Sequence, residues 1–183
     1  AGHERQYRPT KFGGGAEKHY PLMRDAEILN LKSVLDRWAD DKCALFLWST
    51  CPRLDFAITV IKGWGFRYCT VAFVWIKRTR AGLTAKGPGY YTASNAELLL
   101  LGCRGSMRPK VPMLRQIIES PRRAHSSKPD EVRQRIEEMY PTAARLEMFA
   151  RSRHDGWDSW GLEADAAPRG RRPVQPTQER LII

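Results

Sequence analysis

The run Cys43-Ala-Leu-Phe-Leu-Trp-Ser-Thr50 constrains the fold more than any other part of this chain. It is continuously apolar and of strand length, and strands that read this way are buried on both faces. Cys51-Pro52 ends the run. Residues 54–64 then read as a crossover helix closed by Gly63 and Gly65, and 66–77 as a second strand rich in Val, Phe, Tyr and Trp. Strand, helix and strand in succession make a βαβ unit, so a mainly parallel sheet is expected. Residues 97–103, ELLLLGC, supply a third buried strand.

Ligands of such sheets sit at the carboxyl ends of strands. A second helix-and-strand unit lies further on. Val132, Ile136, Met139 and Tyr140 share one face of a helix, with Asp130 and Glu131 suited to its positive end and Ser127 placed to cap it. Pro141 stops that helix, and Leu146-Glu147-Met148-Phe149 reads as a strand whose far end is Ala150-Arg151, followed by Arg153, His154 and Asp155. A further helix is expected over 24–38, with Ile28, Leu31, Leu35 and Trp38 on one face, and a short strand or turn over 113–119. The ligand end is therefore expected near residues 90–97, 125–128 and 150–163.

The formal charge of +11 favours a polyanionic partner, and nucleic acid is the commonest. Arg104, Arg108, Lys110, Arg115, Arg122, Arg123 and Lys128 form a basic run that reads as a phosphate-backbone track. The Gly-rich basic loop 78–93 carries Tyr90 and Tyr91, either stacking on an unpaired base or packing as a lid onto the domain. Glu97 is either a solvated strand-end charge or a site carboxylate. No apolar run approaches the length of a membrane span, and Cys43, Cys51, Cys69 and Cys103 never stand as C-x-x-C, so they read as buried free thiols of a cytoplasmic protein.

Several chemistries lack their residues. There is no G-x-x-x-x-G-K-[ST], so Gly13-Gly14-Gly15 is not a P-loop. His3, His19, His125 and His154 form no H-x-x-x-H pair, which argues against a metal site. Ser49 and Ser159 lack a G-x-S-x-G elbow, which argues against a hydrolase.

Nine segments in register resemble the adenine N6-methyltransferase family that includes the mRNA adenosine methylase and bacterial and phage DNA adenine methylases. They are GAEKHYPLM (15–23), LFLWST (45–50), IKGWGFRY (61–68), FVWIK (73–77), GYYT (89–92), ELLLLGCRG (97–105), HSSKPDEV (125–132), YPTAARLEMFAR (140–151) and GWDSWG (156–161). The resemblance implies a Rossmann-like sheet, S-adenosylmethionine as cofactor and the N6 of adenine in nucleic acid as acceptor. Carried over position by position, Lys128 would hold the methionine carboxylate, with Arg151, His154 and Glu163 as further cofactor contacts. Tyr20 would lie near the target base and Glu97 near the cofactor and acceptor; Tyr90 and Tyr91, from the reading of their loop, are counted on the substrate side.

Two departures qualify that transfer. The family's Asp-Pro-Pro-Trp signature is absent; Gly2-His3-Glu4-Arg5 would stand in its place, and no catalytic residue is assigned. No apolar strand precedes it, so the sheet is expected to lack one strand near its centre. The family's Asn before Glu163 is Leu162. The expectation is a methyltransferase-like domain over 1–163, cut short at its N-terminus and acting on DNA more than RNA, with a disordered Pro/Arg-rich tail over 164–183. The alternatives are a catalytically inactive relative that binds nucleic acid or a partner subunit, as one half of a homo- or heterodimer, and a basic binding module with no cofactor.

Overall fold

A computed structural model describes residues 22–89, 91–122, 127–150, 152–161 and 179–183. Their strands form one seven-stranded sheet. In chain order these are β1 (Cys43–Thr50), β2 (Arg67–Arg78), β3 (Ala96–Arg104), β4 (Ile117–Pro121), β5 (Ala144–Met148), β6 (Asp158–Trp160) and β7 (Arg180–Ile182). The spatial order is β4-β2-β3-β1-β7-β5-β6. Only β3 among them runs against its neighbours, so the expectation of a mainly parallel Rossmann-like sheet holds.

The helices are α1 (Asp25–Asn30), α2 (Lys32–Leu35), α3 (Leu54–Gly63) and α4 (Asp130–Met139). The single helix expected over 24–38 is thus two short ones meeting at Leu31. α3 crosses from β1 to β2 as the βαβ pattern requires, with β3 inserted between the two strands.

Period-two alternation divides the core into two layers. Ala44 and Phe46 of β1, Phe73 and Trp75 of β2, and Leu99 and Cys103 of β3 pack against Val132, Ile136 and Tyr140 of α4 and its C-terminal edge. Leu45 and Leu100, from the opposite face, pack against Ala57, Val60 and Ile61 of α3. Gly102 lets α3 approach β3: a Cβ there would lie 2.7 Å from the Ile61 side chain.

Four expectations need correction. Ser127 makes no cap bond to α4; Pro129 is the N-cap and no side chain caps that end. The strand expected to include Phe149 stops at Met148, because Phe149 adopts a left-handed backbone with φ of 57°. Of the four thiols, Cys43 and Cys103 are buried, but Cys51 is exposed at the open start of α3's leading turn. Finally, the tail is not disordered at its end, since residues 180–182 form β7, and its Leu181 and Ile182 are 0% and 1% exposed. β7 lies inside the sheet, pairing with β1 on one side and β5 on the other. Tyr20, Tyr90, Arg151, Leu162, Glu163, the triple glycine and the 2–5 tetrapeptide lie outside the described residues.

Candidate active site

Alternation carries three charged or aromatic positions to the ligand end of the α4 face. Lys77 follows Phe73 and Trp75 in phase, Trp48 follows Phe46, and Glu97 precedes Leu99. Registration then brings them together, since Glu97 stands opposite Thr50 of β1 and Trp75 of β2. The loop leading into α4 adds Lys128.

The result is a compact ionic and aromatic cluster. Lys77 Nζ lies 2.6 Å from Glu97 Oε1, and Lys128 Nζ is paired with Glu97 Oε2. The Lys77 ammonium stands 5.3 Å from the Trp75 ring and that of Lys128 5.0 Å from the Trp48 ring. The two indoles meet edge to face with centroids 6.4 Å apart. The Glu97 side chain is 13% exposed. Burial works against its charge, yet Lys128 and Lys77 outweigh burial and hold the carboxyl below its ordinary 4.5.

Glu97 and Lys128, singled out separately in the sequence, are therefore in direct contact. His154 lies in the loop between β5 and β6, its Nε2 3.1 Å from Ser152 Oγ. That loop is two strand spacings from β1, roughly 10 Å, so His154 borders the same end of the sheet without joining the cluster. Tyr91 is 94% exposed on the loop between β2 and β3.

Two residues at this end were not singled out. Lys77 could have been found from its phase with Phe73 and Trp75 along β2. Phe149 carried no signal, because its neighbours extend the apolar run. It is 51% exposed at the end of β5, with its ring 5.5 Å from that of Trp160. A left-handed aromatic residue is strained by about 1 kcal/mol or more, and such strain gathers at ligand sites. Gly161 lets β6 close on this corner, since a Cβ there would lie 2.7 Å from the Ala150 nitrogen and oxygen.

The basic run does not make one track along the ligand end. β3 carries Arg104 to the far end of the sheet, where it pairs with Asp36 at 2.7 Å and covers Phe66. Lys110 is there too, its amide bonded to the Met139 carbonyl at the C-terminus of α4. Lys128, by contrast, precedes the N-terminus of that ten-residue helix, roughly 15 Å away along its axis. A cavity of about 470 Å³ opens at the far end as well, lined by Cys69, Cys103 and Tyr140 among others. It holds no carboxylate and lies apart from the cluster. Among the described residues no group of three His, Cys, Asp or Glu is arranged to hold a metal ion, and no helix is long and apolar enough to cross a membrane.

The mainly parallel α/β sheet is of the Rossmann-like class, and an ammonium–carboxylate cluster lies at the carboxyl end of its central strands. The chain matches the MT-A70 family over residues 4–163 and belongs to it. It is 38% identical over 158 residues to the type II methyltransferase M.MunI of Mycoplasma sp, an alignment covering 83% of this chain and 63% of that protein. It is 30% identical over 125 residues to a putative N(6)-adenosine-methyltransferase MT-A70-like protein of Medicago truncatula, covering 64% of this chain and 20% of the relative. For the N(6)-adenosine-methyltransferase MT-A70-like protein of Arabidopsis thaliana the identity is 29% over 155 residues, covering 79% and 21%. The matched region thus spans less than two thirds of each of these relatives.

Proposed function

We propose that this chain binds S-adenosylmethionine at the carboxyl ends of its central strands and transfers the methyl group to the exocyclic N6 of adenine in nucleic acid. The observation that carries this reading is the Lys77–Glu97–Lys128 cluster in a chain of the MT-A70 family. The donor set suits the cofactor. Lys128 is 31% exposed beside a helix N-terminus, and the group it now holds is a carboxylate, the same chemistry as the cofactor's methionine end.

Bound S-adenosylmethionine supplies a methyl group on a sulfonium, which an aligned amine can take by in-line displacement. In this reading Lys128 fixes the carboxylate of the cofactor. Glu97, kept ionised, accepts a hydrogen bond from the acceptor's amino group and orients its lone pair. The Trp48–Trp75 pair limits water beside both ammoniums. Arg151, His154 and Glu163 complete the cofactor side, and Tyr20, Tyr90 and Tyr91 the acceptor side. The net charge of +11 suits a nucleic-acid acceptor, and the compact GAEKHYP segment favours DNA over RNA.

A second reading is that the chain binds cofactor and nucleic acid, or a partner subunit, without turnover; no Asp-Pro-Pro-Trp occurs within residues 1–183. One assay separates the two. Tritium from methyl-labelled S-adenosylmethionine is followed into N6-methyladenine in duplex DNA and in RNA. Label in DNA that is lost in Glu97→Ala supports the enzyme. Cofactor binding without label supports the inactive relative, and label in RNA alone overturns the choice of DNA.

A further inference from the structure

The two cations on Glu97 are mounted differently. Lys77 belongs to β2, inside the sheet, with its side chain 18% exposed and its Nζ 2.6 Å from Oε1. Lys128 stands in the loop before α4, is 31% exposed, and meets Oε2. Other charges around Glu97 do not substitute for either. β1 faces it with Thr50, which is uncharged, and Asp130 at the start of α4 is engaged by Arg133 at 2.9 Å. If Lys128 turns to the carboxylate of a ligand, a carboxyl only 13% exposed loses one of its two counter-ions. With no second cation the proton affinity of such a group rises, because burial disfavours its charge.

We infer that Lys77 is a positioning residue: it keeps Glu97 ionised and in place while Lys128 is drawn onto the cofactor's carboxylate, so that Oε2 is released to accept a hydrogen bond from the acceptor's amino group. This inference rests on the reading of the cluster as the S-adenosylmethionine site. It assigns the two lysines separate tasks, one exchanging partners and one holding. It also makes cofactor binding the event that prepares Glu97 for the acceptor.

The test is calorimetric titration of S-adenosylmethionine into the full chain at about pH 6, within the range to which burial can raise a carboxyl that lacks a cation. Each titration is run in phosphate and in histidine buffer, whose heats of ionisation differ. Wild type is expected to give the same binding heat in both, with no proton exchanged at Glu97. Lys77→Met and Lys77→Gln are each expected to give buffer-dependent heats that report uptake of about half a proton or more, with affinity reduced at least about fivefold. Lys77→Arg is expected to restore buffer independence. Weaker binding by both neutral variants with no buffer dependence assigns Lys77 a purely structural role and overturns the inference. Absence of binding by wild type overturns the cofactor reading itself, and the inference with it.

Discussion

Glu97 joins the two lysines of the cluster, and its ionisation ties the stability of the chain to pH. Its carboxyl is held below 4.5 in the folded chain, so the cluster contributes fully above that value and its contribution is lost as pH falls through the depressed value. Glu97→Gln leaves two part-buried ammoniums facing a neutral amide and should cost about 2 kcal/mol at neutral pH. The deficit relative to wild type, measured by urea unfolding, should shrink steadily below about pH 4. A deficit that stays constant down to pH 3 would show that packing rather than charge is responsible. The thiols separate just as clearly. Burial raises Cys43 and Cys103 to about 12, whereas Cys51 is exposed. Iodoacetamide at mildly alkaline pH should therefore label Cys51 in the native chain and leave Cys43 and Cys103 unmodified until denaturant is added, as peptide mass mapping would reveal. At this scale the sequence was only half legible. Glu97 and Lys128 were visible through resemblance, whereas Lys77 was passed over although it is in phase with Phe73 and Trp75. Nothing local marks Phe149, because its left-handed backbone follows from how β5 meets Trp160 and Gly161.

Among the elements, β7 departs furthest from expectation. A segment of the form Arg-Leu-Ile-Ile at the end of a Pro- and Arg-rich stretch is too short and too polar in context to read as a strand. Its burial is decided by two distant partners, Cys43–Leu45 of β1 and Ala144–Leu146 of β5. Leu181 enters the α4-side layer and Ile182 the α3-side layer, so this short strand joins both halves of the core. Leu181→Ala should cost about 2–5 kcal/mol, the range for a fully buried leucine, and would appear as a lower urea midpoint. A cost below about 0.5 kcal/mol would mean that the segment does not sit in the sheet centre. The long strands posed no such difficulty. Continuous apolar runs identify β1 and β3 whatever their partners, and the 3.6-residue period of Val132, Ile136 and Tyr140 identifies α4. The helix over 24–38 broke at Leu31 because an apolar face alone does not hold two short turns in one axis.

Across the whole molecule, strand direction decides which end of the sheet each charge reaches. The basic run looked continuous in sequence, but the hairpin of β2 and β3 sends Arg104 to one end while Lys77 and Glu97 stay at the other. Chain order cannot reveal that separation; strand direction does. If the Lys128 end is the cofactor end, as proposed, calorimetry with S-adenosylmethionine on wild type, Lys128→Ala and, as a control at the far end, Arg108→Ala will separate the variants. Wild type and Arg108→Ala are expected to bind alike, and Lys128→Ala at least about tenfold more weakly, in keeping with the loss of one charge-assisted contact. No heat with wild type, or equal affinity for wild type and Lys128→Ala, would contradict that proposal.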